Sequence, residues 1–158
     1  MSPSELEHYL HEHIPLSKAM QVSVAKIDEE SVVLSAPLAP NVNHRETLFG
    51  GSASAIAILA AWSLLHTRLL HAGIASRLVI QRNTMDYDLP IAGEFTARSA
   101  LQNPGHWEPF LRMLTRKGKA RIAVICVLEH GGLEAGHFMG EFVALGAHGA
   151  ESIIRAAL

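Results

Sequence analysis

The chain has 158 residues, 49% of them hydrophobic, which is enough for one domain with a sizeable core. Its 13 basic and 15 acidic side chains nearly cancel, which excludes the strongly basic character of a nucleic-acid binder. A single cysteine, Cys126, excludes an intramolecular disulfide framework, and its apolar neighbours make it a core residue rather than a nucleophile.

Ser4 to His13 reads as a short helix, with Ser2 or Ser4 as cap and Pro15 as stop. Its His8, His11 and His13 lack a carboxylate or cysteine set at ligand spacing elsewhere, so a solvated face is expected and no metal site. Met1 to His13 is rich in Glu and His and has no apolar core of a signal peptide, so the expected location is the cytoplasm. Met20 to Val24 alternates apolar with polar, Asp28-Glu29-Glu30 turns, and Ser31 to Ala36 returns, which predicts a hairpin.

A polar loop, Asn43-His44-Arg45-Glu46-Thr47-Leu48-Phe49-Gly50-Gly51, then leads into a helix that is apolar almost all the way round and ends near Gly73. Such a helix has to be wrapped by protein or by lipid. Ser52, Ser54, Ser63, His66 and Arg68 interrupt it short of the roughly 20 apolar residues that a bilayer needs, so protein is the expected wrapping and no membrane is.

Strands follow: Leu78 to Tyr87, closed by Leu89-Pro90, and Glu94 to Ser99. Beyond the turn at Gln102 to Gly105, the segments Pro109 to Arg116 and Ala120 to Glu129 flank Lys117-Gly118-Lys119 as a further strand pair. Ala120 to Leu128 is so continuously apolar that both its faces are expected to be covered. Ala135 to Leu145 is the last strand, before a small tail from Gly146. One buried helix and about six strands on short turns predict an α+β domain over residues 1–158, an antiparallel sheet curled around the helix. Covering the sheet's other face and edges predicts a homodimer or a dimer of dimers.

The order of elements and the loop entering the helix resemble the hotdog-fold acyl-thioesterases, over nearly the whole chain. The local motif is similar to the phenylacetyl-thioester hydrolase branch, in which Asn, a small polar stretch, Thr, one residue, His and two Gly lead into the central helix. Asn43, Thr47, Gly50 and Gly51 fall on that pattern, with Phe49 in place of the His. The run Asn-x-x-x-Thr-x-Phe-Gly-Gly-Ser, with Trp62 and with Tyr87 ahead of Pro90, resembles more closely the thioesterase-like domain often fused to an acetyltransferase. Some members of that group act as malonyl-acyl-carrier-protein decarboxylases. In the phenylacetyl branch an Asp within the central helix activates or orients the attacking water, and the matching position here is Ile58.

The resemblance implies a thioester of coenzyme A or of an acyl carrier protein as substrate, with no cofactor. Paired glycines at a helix start leave N–H groups bare at the positive end of the dipole, suited to a tetrahedral oxyanion, although Gly50 and Gly51 also suit close packing of helix on sheet. Asn43 is a donor to the carbonyl or to water, or an Asx-turn residue. Glu46 is the loop's only carboxylate and His44 its only imidazole, so each is a candidate base or a solvated side chain.

Thr47, Phe49 and Trp62 are the remaining candidates for substrate contact in this region, and Asp86 with Tyr87 either reaches a partner's site or finishes an edge strand. Arg112, Arg116, Lys117, Lys119 and Arg121 cluster around one turn, where phosphates or an acidic carrier protein would be attracted, or where an ordinary hairpin is solvated. Three readings follow: an acyl-thioester hydrolase, placed first by fold analogy; a malonyl-thioester decarboxylase, which needs no water-activating carboxylate; and a non-catalytic thioester-binding module.

Overall fold

The computed structural model describes residues 1–146. Helices α1 (Pro3–His13) and α2 (Pro15–Ala19) precede strands β1 (Ser23–Ile27) and β2 (Ser31–Ala36). The long α3 (Gly50–His71) follows, then β3 (Ser76–Tyr87), β4 (Phe95–Leu101), α4 (Trp107–Lys117), β5 (Lys119–His130) and β6 (Leu133–Gly146). The strands form one antiparallel sheet in the order β1-β2-β4-β5-β6-β3. The tail expected beyond Gly146 lies outside the described residues.

Helix α3 explains the curl. Its 22 residues are long and apolar enough, by length and composition, to cross a membrane, but here the sheet wraps them. Ala53, Ala57, Ala60 and Ala61 are buried and small, so the strands approach closely, while Ile56, Leu64 and Leu65 fill the space between. Opposite them stand Val32 and Leu34 of β2, Phe95 and Ala97 of β4, Val124, Cys126 and Leu128 of β5, and Phe138 and Phe142 of β6. The buried Ser99 hydroxyl donates toward the Ala60 carbonyl at 2.9 Å and the Val32 carbonyl at 3.1 Å, tying helix to sheet without leaving a polar group unmet. Burial raises the Cys126 thiol well above its usual range, so it stays protonated and inert.

Three local expectations change. Pro109 to Arg116 is not a strand but lies within α4, because Trp107, Phe110 and Leu114 are buried at helical spacing and Pro109 sits in the first turn, where no intrahelical N–H is needed. The helix ends at Gly118, whose φ of 69° is a left-handed cap. Pro15 does not merely stop α1; it opens α2 as its first residue, so Met20 and Gln21 form a turn and β1 begins at Ser23. Only one face of β5 is covered within the protomer: Ala120, Ile122, Val124, Cys126 and Leu128 are buried, whereas Ile125 on the other face is 38% exposed.

The two sheet edges differ. At β1 the helix α1 supplies side-chain partners, with the Glu7 carboxylate accepting from the Val24 N–H at 2.9 Å and His11 Nε2 2.7 Å from the Val22 carbonyl. At the other edge, the 12-residue β3 pairs with β6 on one side only, and most of its residues are exposed.

Candidate active site

The loop before α3 is held by its own backbone and by two asparagines. Val42 and Leu48 form a bridge, the Asn43 N–H donates to the Thr47 carbonyl at 2.8 Å, and Glu46 makes the turn in left-handed conformation, φ 62°. The Asn43 side chain staples this turn from within. Its Oδ1 accepts from the Arg45 N–H at 2.8 Å and the Thr47 N–H at 3.2 Å, and its Nδ2 donates to Thr47 Oγ1 at 3.0 Å. Asn41, absent from the sequence-level candidates, is buried and donates to the Met20 and Pro37 carbonyls at 2.9 and 2.8 Å, while its own carbonyl accepts the Phe49 N–H. The Leu48 N–H reaches the Ile91 carbonyl at 2.8 Å, so the loop is fixed to the segment that follows β3.

Helix α3 then starts on Gly50 with Phe49 at its cap position and no side-chain cap hydrogen bond. The first-turn N–H groups therefore look out of the helix at the positive end of its dipole. A Cβ on Gly50 would lie 3.4 Å from the Tyr87 ring, and a Cβ on Gly51 would collide with the Phe49 ring. Glycine here leaves room between two aromatic rings. A cavity of about 310 Å³ opens at this point, lined by Leu48, Gly50, Ala53, Tyr87, Asp88 and Leu128 among others.

Among the candidates read from the sequence, the structure thus brings together Gly50 and Tyr87 in one cavity, with Phe49 and Gly51 on either side of Gly50 in the chain and Asn43 with Thr47 inside the preceding loop. His44 and Glu46 are exposed on the same loop. Trp62 is not gathered there. It lies 12 residues further along α3, where its ring stacks with Tyr9 and His66 and its Nε1 donates to the Leu78 carbonyl at 3.3 Å. Burial lowers the pKa of His66 in that stack. Ile58 lines a separate apolar groove of about 300 Å³ with Ile14, Leu16, Trp62, Leu78 and Val79. Asp86 pairs across the ladder with His137 of β6. Arg112, Arg116 and Lys117 are exposed toward the end of α4, where cations also suit the helix dipole, and Lys119 and Arg121 begin β5.

One group escaped the sequence reading. His137 Nδ1 lies 2.5 Å from Asp88 Oδ2 and its Nε2 lies 3.0 Å from Glu134 Oε2. The hydrogen bond to Asp88, followed by that to Glu134, raises the His137 pKa and favours the imidazolium. Asp88 and Glu134 are 46 residues apart in sequence and only the β3–β6 pairing joins them, so local patterning carried no signal.

The curled sheet, the buried helix and the open glycine start define a hotdog-fold thioesterase architecture. The chain belongs to the family described as "Putative thioesterase (yiiD_Cterm)", which matches residues 3–146. Solved structures agree in fold. A Chlorobaculum tepidum protein of unknown function is 26% identical, with 91% of this chain and 94% of that one covered and a TM-score of 0.86. A Shewanella oneidensis "putative thioesterase" is 23% identical over 90% and 96% of the two chains, TM-score 0.80. A Haemophilus influenzae thioesterase is 11% identical over 92% of each chain, TM-score 0.76.

Proposed function

We propose that the chain hydrolyses acyl thioesters of coenzyme A or of an acyl carrier protein, with the carbonyl oxygen received by the N–H groups of Gly50 and Gly51. The observation that carries this reading is the uncapped, glycine-started α3 opening into a cavity walled by Tyr87. Attack on the carbonyl carbon moves negative charge onto the oxygen, and donors already fixed in direction stabilise that charge without reorganising. Phe49 and Tyr87 supply apolar walls for the acyl group, and His44 and Thr47 flank the entrance. The exposed cations Arg112, Arg116, Lys117, Lys119 and Arg121 attract the phosphates of either carrier.

The unshielded β3 edge and the apolar groove beside it, with Leu16 58% and Val79 42% exposed, support a homodimer or dimer of dimers formed through β3. Light scattering on dilute protein is expected to give at least twice the chain mass, and a stable folded monomer would refute the assembly.

Decarboxylation of a malonyl thioester is favoured by one observation, the apolar Ile58 at the position where the related hydrolases carry Asp. An enolate needs the same donors and no activated water. The test is a panel of acetyl, butyryl, octanoyl, phenylacetyl and malonyl thioesters of coenzyme A and of carrier protein, with thiol and carbon dioxide followed separately. Thiol release without carbon dioxide is the expected result. Carbon dioxide from the malonyl thioester with no thiol would replace hydrolysis by decarboxylation, and tight binding with neither product would leave a binding module.

A further inference from the structure

We propose that Asp88 is the carboxylate that activates water for this hydrolysis, and that His137 is its positioning residue; the inference rests on the hydrolase reading above. A hydrolase needs a base beside the carbonyl, and neither of the two sequence candidates, Glu46 and His44, lines the cavity. Both are exposed on their loop, and Ile58, at the position where the phenylacetyl branch has Asp, lies in a different, apolar groove. Asp88 lines the same cavity as Gly50 and directly follows Tyr87, whose ring packs at Gly50.

The Asp88 backbone is fixed as well. Its N–H and that of Leu89 both donate to the Ala135 carbonyl, at 3.0 and 3.1 Å. His137 holds Oδ2 at 2.5 Å, while Oδ1 accepts no hydrogen bond among the described residues. Glu134, bonded to the other ring nitrogen at 3.0 Å, keeps the imidazole from turning away. The side chains of Asp88 and His137 are 43% and 47% exposed, so water reaches them.

The chemistry balances without a further reactant. As the water oxygen bonds to the carbonyl carbon, one water proton passes to Asp88 Oδ1 and the carbonyl electron pair moves onto the oxygen facing the Gly50 and Gly51 N–H groups. Collapse of the tetrahedral adduct breaks the carbon–sulfur bond, and the departing sulfur takes the proton back from Asp88. Acid and thiol are the products, and Asp88 is a carboxylate again.

The groups around the His137 ring are mainly acidic. Asp86 lies across the ladder on β3, Asp88 and Glu134 bond to the ring, and Glu129 and Arg98 form a 2.8 Å pair on β5 and β4 next to Glu134. The hydrogen bonds to Asp88 and then to Glu134 raise the His137 pKa and so favour the imidazolium beside Asp88.

The test uses whichever coenzyme A thioester of the panel the unaltered protein hydrolyses. Asp88→Asn is expected to lower kcat by roughly 10²- to 10⁴-fold with little change in KM, the range for loss of a general base. Asp88→Gly is expected to recover part of the lost rate in added formate, which fills the missing carboxylate; a purely structural role would show no such rescue. His137→Gln is expected to lower kcat about tenfold with little change in KM, since Asp88 Oδ2 then loses the imidazole that holds it. Full kcat in Asp88→Asn, or a folded Asp88→Gly whose loss formate does not relieve, overturns the proposal while leaving the hydrolase reading intact. An unaltered protein that hydrolyses no thioester in the panel overturns the hydrolase reading, and this assignment with it.

Discussion

Asn43→Ala is expected to lower thioester turnover by roughly 10²- to 10³-fold, the usual effect of removing one oxyanion donor. An oxyanion donor at Asn43 would have two jobs, one in the loop and one in the reaction, and a single alanine substitution mixes them. Its Oδ1 receives the Arg45 and Thr47 N–H groups and so closes the turn that delivers Phe49 and Gly50 to the helix start. Its Nδ2 donates to Thr47 Oγ1 at 3.0 Å and reaches the Leu48 carbonyl at 3.4 Å, and the proposed second job is for this donor to turn to a developing oxyanion.

Asn43→Asp separates the two jobs, because a carboxylate still accepts both backbone N–H bonds but cannot donate. If the donor carries the rate, Asn43→Asp is as slow as Asn43→Ala, and KM changes little in either because the bond strengthens mainly in the transition state. Steady-state kinetics on an active thioester, with melting curves on both variants, checks this. Full turnover in Asn43→Asp would assign Asn43 to loop shape alone.

The parts of the fold that were legible in the sequence are those whose signal is local. The segment after Gly51, apolar nearly all the way round, had to be a wrapped helix, and the alternation read over Glu94 to Ser99 puts Phe95, Ala97 and Ser99 on the buried face of β4. The α4 segment was misread because Trp107, Phe110 and Leu114 lie close to a proline and a tight glycine turn, two features that hairpins and short amphipathic helices share. Likewise β5 is continuous in hydrophobicity for two different reasons: one face fills the core, and the other leaves Ile125 exposed and Val127 half-buried.

In the site, the loop and the helix start were visible because Asn43, Thr47, Gly50 and Gly51 lie within nine residues of one another. Tyr87 reads in the sequence as an edge-strand or cross-interface residue, and only the packing of β3 against the start of α3 brings its ring to Gly50 of its own chain. Asp88, His137 and Glu134 were not legible at all. A histidine in an alternating strand is ordinary, and its two carboxylate partners become neighbours only after a sheet edge and a hairpin have formed.

Phe142→Ala is the substitution expected to cost the most stability, about 3–5 kcal/mol, as for removal of a large aromatic ring from a closed core. Phe142 is 0% exposed at the middle of β6, between Ile122 of β5 and Ile80 of β3, with its ring against α3. The size of the effect follows from what can refill the space. Gly140, the next residue on the same face, has no side chain because a Cβ there would lie 2.7 Å from the Phe138 ring and 3.0 Å from the Phe142 ring. With Phe142 truncated, Gly140 has nothing to offer the void, and the alanines of α3 facing the sheet are too short to reach it, so the cavity persists. At roughly 2–4 °C per kcal/mol for a chain of this size, melting should fall by about 6–20 °C. The same geometry predicts that Gly140→Ala does not repair the Phe142→Ala background, since the added methyl group still meets the Phe138 ring at 2.7 Å. Calorimetry on the single and double variants checks both steps. A loss below about 1 kcal/mol, within the range of surface substitutions and small repacking, would mean that the sheet collapses onto α3 more freely than this close-packed geometry allows.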